Sequence, residues 1–131
     1  MRIEDQVCSL ENAKRLKELG VKRESYFLHC KPFICIRSYV KERWAFGLDH
    51  SGHDVYPAYT VAELGEMLPN EIDDGTGNYF IFQSGQLRGY RDVTGRWLLE
   101  LQGTRKETDA RAMMLIWLLE NNYITTEEVN K

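Results

Sequence analysis

The side chains of this 131-residue sequence that could ligate a soft metal or act as a thiol nucleophile are Cys8, His29, Cys30, Cys35, His50 and His53. A structural zinc draws three or four such groups into a tetrahedron, and close pairs such as CxxC usually announce it. Here Cys30 and Cys35 lie five apart, His50 and His53 three apart, and no CxxC occurs. This spacing predicts that Cys30 and Cys35 are small buried hydrophobes on adjacent strands. His50 and His53 then belong to a polar loop over residues 49–54. A catalytic thiol needs an electropositive, partly exposed pocket and a base held by a third group. Cys30 sits between His29 and Lys31. Neighbours on a strand point to opposite faces, however, so His29 is badly placed to serve Cys30. The expectation is a chain with no metal, no cofactor and no catalytic residue.

Other patterns are weaker. The acidic run 71–78 (EIDDGTGN) lacks the alternating Asp/Asn positions and closing Glu of a calcium loop. Gly75 and Gly77 are not followed by the Lys and Ser/Thr of a phosphate loop. A solvated loop over residues 70–77 is the better account. Lys14, Arg15, Lys17, Lys22 and Arg23 form a basic cluster that could touch phosphates. Glu11, Glu18 and Glu24 interleave with it, which favours a solvated face with local ion pairs. Residues 59–68 resemble the first helix of a helix-turn-helix reader, but Pro69 and an acidic stretch stand where a recognition helix is needed. Trp44, Trp97, Trp117 and the seven tyrosines could stack bases. No basic cluster accompanies them, so they read as core.

The elements that carry these residues are legible. Ser9 caps a helix over residues 9–19, with Leu10, Ala13, Leu16 and Leu19 on one face and Gly20 as its stop. Residues 26–30 and 33–36 read as a hairpin around Lys31-Pro32, and residues 44–48 as a further strand with Trp44, Phe46 and Leu48 inward. Thr60 and Glu63 form a capping box for a helix ending before Pro69. Three strands, at 79–84, 87–92 and 96–102, follow with short Gly-containing turns as a meander. The helix 108–122 is apolar on most of its circumference, so it must sit deep. The tail from Thr125 is polar and reads as frayed.

The fold class expected is α+β: an antiparallel sheet, made of a hairpin plus a three-stranded meander, with three helices packed on it. Residues 1–131 form one domain, with a helix-plus-hairpin half at 1–56 and a helix–three strands–helix half at 57–124. The predicted core holds Leu16, Leu19, Trp44, Phe46, Leu64 and Phe80. Phe82, Leu99, Leu101, Met114, Trp117 and Leu118 complete it.

The net charge of −3 argues weakly against non-specific nucleic-acid binding. The first 65 residues carry ten Lys/Arg and nine Asp/Glu; the rest carry seven and eleven. No apolar run approaches the roughly 20 residues of a membrane helix, and the start of the chain lacks the apolar stretch of a secretory leader. Three cysteines cannot all pair within one chain. A reducing cytoplasm is the expected compartment.

Residues 9–25 (SLENAKRLKELGVKRES), 56–69 (YPAYTVAELGEMLP) and 109–121 (DARAMMLIWLLEN) resemble blocks of small uncharacterised phage, prophage and mobile-element proteins. The half over 60–122 also resembles the α-β-α sandwich domain of phage proteins. That resemblance covers most of the chain and implies an accessory protein in a bacterial host. It transfers no catalytic residue. With no converging catalytic groups, the expected activity is binding, foremost of a host or phage protein. Nucleic-acid binding through the helix 9–19, with its basic cluster, or through the Thr60 helix is the alternative, and a Cys/His metal site or thiol enzyme the second. Self-association through the helix 108–122 is expected from its apolar circumference.

Overall fold

Ser9 opens the first helix as its residue type demands. Its hydroxyl accepts the Asn12 amide at 3.2 Å, and helix α1 runs over Leu10–Glu18. At the far end Gly20 adopts φ 98°, and the amides of Gly20 and Val21 return to the carbonyls of Lys17 and Leu16. Ala13 and Leu16 face the core. The computed structural model describes residues 3–30, 33–36, 55–103 and 106–131. The strand expected at 44–48, the core positions Trp44 and Phe46, and the loop with His50 and His53 lie outside them.

Strands β1 (Phe27–Cys30) and β2 (Phe33–Ile36) form the expected hairpin, with Leu28 opposite Cys35 and Cys30 opposite Phe33. Strand β3 (Val55–Pro57) pairs antiparallel with the other side of β1, giving the order β2-β1-β3. This strand is absent from the sequence reading. Three residues ending in a proline show no alternation, and proline is tolerated there because β3 is an edge among the described strands.

Helix α2 (Val61–Met67) begins with the capping box formed in full: Glu63 N donates to Thr60 Oγ1 at 3.3 Å and Thr60 N to Glu63 Oε1 at 2.9 Å. The Glu63 carboxylate also accepts from Ser25 Oγ and the Tyr26 amide, both at 2.9 Å. One side chain thus ties the start of α2 to the approach to β1.

The acidic stretch after Pro69 is not all loop. Glu71–Asp73 is strand β4, antiparallel to β5. Its acids face solvent while Ile72, 4% exposed, pairs with Tyr79 in the core. A single inward residue between two carboxylates is too short a pattern to read as a strand. Strands β5 (Asn78–Ser84), β6 (Leu87–Arg91) and β7 (Trp97–Leu101) follow as the predicted meander, and the four-stranded order is β4-β5-β6-β7. A bulge at Tyr90/Arg91 places Leu99 opposite Tyr90 and Trp97 opposite Arg91.

That register decides which side chains are buried. Ile72, Tyr79, Tyr90 and Leu99 line the inner face, and the Tyr90 hydroxyl donates to Pro69 O at 2.6 Å. Phe80, expected in the core, is 40% exposed on the outer face, and Phe82 beside it is only half-buried. In the apolar run YFIF pattern alone does not choose the buried parity, and pairing with Ile72 buries Tyr79 instead of the expected Phe80 and Phe82.

Helix α3 (Glu107–Glu120) packs against both α1 and α2. Ala112, Leu115 and Leu118 are fully enclosed, and a single connected core runs from Cys8 and Leu16 through Leu64 and Tyr90 to Leu118 and Val129. The deep position expected of this helix follows from its apolar circumference. The tail is the remaining correction. Thr126–Val129 forms helix α4, whose N-cap Thr125 accepts from Glu128 N. Ile124 and Val129 are buried, and the Asn130 side chain accepts from Lys22 N at 2.6 Å and donates to Gly20 O at 3.0 Å. Two apolar residues and a bidentate amide hold a segment that looked too polar to dock. Among the described residues no helix is long and apolar enough to cross a membrane.

Candidate functional site

Helical spacing places Met113, Ile116 and Trp117 on one side of α3, and strand alternation places Leu99 and Leu101 on the inner side of β7. Together they form the apolar floor of a groove of about 530 Å³. One wall is α1, whose Glu11, Lys14, Arg15 and Glu18 recur at steps of three and four residues and so share a face. Arg15 spans the mouth: its guanidinium lies 3.3 Å from Glu18 and 3.6 Å from Glu120 on α3. These pairs are open to water and contribute at most about 1 kcal/mol, so they define the rim rather than hold the helices together. Trp117 stacks on Tyr123, with centroids 5.2 Å apart and planes 11° from parallel. The groove suits apolar side chains with a mixed-charge border.

The basic cluster falls into separate local contacts. Arg15 is taken by Glu18 and Glu120, and Arg23 by Glu66 at 3.1 Å. The ammonium groups of Lys14 and Lys17 lie over the Tyr56 ring, at 5.7 and 5.0 Å from its centroid. Lys22 is fastened through its backbone to Asn130. Helix α2 is followed by β4, so no recognition helix succeeds it.

Of the cysteines and histidines, Cys8 and His29 come together. Cys8 is fully buried, its amide donates to Tyr59 O at 2.9 Å, and burial pushes its thiol up to about 11. Such a thiol stays protonated and is a poor nucleophile. The His29 ring contacts Cys8 O at 2.8 Å. A carbonyl can only accept, so His29 Nε2 carries the proton. Nearby, Asp109 in the first turn of α3 accepts from Ser9 N at 2.7 Å and Asn12 Nδ2 at 3.0 Å, with Lys106 Nζ at 3.7 Å. Thr108 donates to Val7 O at 3.0 Å. These groups join the starts of α1 and α3. The register sets Cys30 and Cys35 opposite Phe33 and Leu28, not opposite each other. Among the described residues no group of three or more His, Cys, Asp or Glu could hold a metal ion. The Asp74 carboxylate closes its own turn, accepting from Thr76 Oγ1 at 2.6 Å, Thr76 N at 2.9 Å and Gly77 N at 3.1 Å. Those bonds hold its pKa below the ordinary carboxylate value.

The chain matches no protein-family model, no curated protein and no solved structure.

Burial lowers the pKa of His29 below its ordinary 6.5. As pH falls through about 6.5 the unfolded chain takes up this proton before the folded one does. Stability is therefore full above that pH and declines below it. Melting temperature measured from pH 8 to pH 5 should show this acid limb, and His29→Gln, which keeps a donor for Cys8 O, should flatten it. An unchanged slope in that variant would remove His29 as the cause.

The groove itself was missed at the level of sequence. Its signal was the coincidence of two helical stripes, Glu11/Lys14/Arg15/Glu18 and Met113/Ile116/Trp117, which only the packing of α1 on α3 brings together.

Proposed function

We propose that the protein is a non-enzymatic binding module that takes an apolar segment of a partner protein in the groove between α1, α3 and β7. One observation carries this reading: Leu99, Leu101, Met113, Ile116 and Trp117 form an apolar floor that opens at the surface. Apolar area left at the surface is a recurrent mark of protein contact sites. Within α3 the enclosed positions serve the chain's own core, and half-buried Met113 and Trp117 are what the helix offers outward. The resemblance to phage and mobile-element proteins directs the search to host and phage proteins in the bacterial cytoplasm, and the reading is of an accessory protein.

The test is a tagged pull-down from host lysate, with and without nuclease, comparing the native chain with Met113→Glu. A carboxylate on the groove floor should reduce capture at least about tenfold, the usual scale for charging an apolar contact, while the melting temperature is kept. Capture that vanishes with nuclease would sink the proposal and shift attention to Lys14, Arg15 and Lys17. Light scattering on the same samples reads the homo-oligomer: a dimer broken by Met113→Glu would make the partner a second copy.

A further inference from the structure

The outer face of the four-stranded sheet has a character of its own. Phe80 and Phe82 of β5 point outward, with Arg91 opposite Phe80 and Gly89 opposite Phe82. Trp97 of β7 sits opposite Arg91, and its ring meets Phe82 edge-on with centroids 5.4 Å apart. The Arg91 guanidinium lies over both rings, 4.9 Å from the Phe82 centroid and 5.4 Å from that of Trp97. The aromatic surface thus already holds one stacked cation of the protein's own. Beyond it Phe80 remains open, at 40% exposed; Val93 at the β6–β7 turn is 89% exposed, and a hollow of about 300 Å³ lies between them beside Arg91.

Carboxylates surround this patch. Glu71 stands opposite Phe80, Asp73 opposite Asn78 and Glu100 opposite Gly89, and all three acids are exposed. Asp92, fixed in the adjoining turn by Thr94 and Arg96, has its pKa held low by those bonds and stays ionised. Four acids against Arg91 and Arg96 leave the face net anionic. Gly89 adds no side chain, so the surface between Phe82 and Glu100 is low. Exposed rings bordered by carboxylates attract cations through the ring faces and through charge. They repel a phosphate backbone.

We propose that this outer sheet face docks a basic segment of a partner protein, an extended stretch whose arginine or lysine side chains stack on Phe80, beside the Arg91-covered pair Phe82 and Trp97, and reach Glu71, Asp73 and Glu100. The surface is distinct from the groove: Leu99 and Leu101 serve the inner side of β7, Glu100 the outer. The proposal therefore stands whether or not the groove binds.

The experiment titrates an eight-residue peptide alternating Arg and Thr into the full chain, followed by calorimetry. A matched peptide with Glu in place of Arg and a twelve-nucleotide oligo-dT serve as comparators. The Arg peptide should bind, weaken as salt rises, and lose about two- to fivefold in affinity with Phe80→Ala and with Glu100→Lys. Both positions are exposed, so both variants keep the native melting transition, and Met113→Glu in the groove leaves the titration unchanged. Absence of Arg-peptide binding at low salt, equal binding of the Glu peptide, or binding insensitive to both variants would overturn the proposal. Oligo-dT binding lost with Phe80→Ala would overturn it in favour of a single-strand platform.

Discussion

Gly89→Ala should yield little or no folded protein. A methyl group built on Gly89 would sit 1.9 Å from Leu99 O and 2.8 Å from Leu99 C, both backbone atoms of the adjacent strand. No rotamer change relieves such a clash. Either β7 leaves β6 or the glycine abandons φ 156°, and each route breaks the ladder that also sets the Tyr90/Arg91 bulge. The expected loss exceeds about 4 kcal/mol, in the range reserved for a specific structural conflict. Urea unfolding followed by far-UV dichroism measures it. Gly77→Ala, which meets nothing within 4 Å and has no positive φ, should stay within about 1 kcal/mol. Native-like stability in Gly89→Ala would mean that β6 and β7 can part at Leu99 O without breaking the ladder.

Leu118→Ala should cost about 3 kcal/mol, and Phe80→Ala well under 1. Leu118 is fully enclosed in α3 within the common core, and truncation leaves a cavity that rigid neighbours fill only in part. Phe80 is 40% exposed and gives up little buried area. Both residues are large and apolar, and both looked like core positions by pattern. Paired denaturant curves separate them. Equal losses would place Phe80 inside and would also remove the open ring on which the outer-face interaction depends.

That contrast shows where sequence reasoning ends. Helices α1 and α2 were legible because their signals are local: Ser9, Gly20 and the Thr60–Glu63 box act within one turn of the chain. The meander was legible through its glycine turns. Which phase of β5 is buried was not, because Tyr79 and Ile81 compete with Phe80 and Phe82, and only pairing with Ile72 and Tyr90 decides it. Strand β4 failed for the related reason that Ile72 alone carries its pattern. The groove was hidden because its two walls are about a hundred residues apart in sequence. The basic cluster was visible, but its partners Tyr56, Glu66 and Glu120 were not, since each comes from another element.

The bonds joining the two ends of α1 to α3 and α4 have a consequence for synthesis. Ser9 N meets Asp109, Val7 O meets Thr108, and Gly20 O and Lys22 N meet Asn130. Residues 7–22 therefore find these partners only after a hundred or more further residues have been made. Until then Leu16 and Val21, both buried in the finished protein, have no α3 or α4 to cover them. Closing so long a loop makes folding a late, collective event rather than a growing one, and leaves the nascent chain dependent on the acidic and basic side chains of α1 to stay in solution.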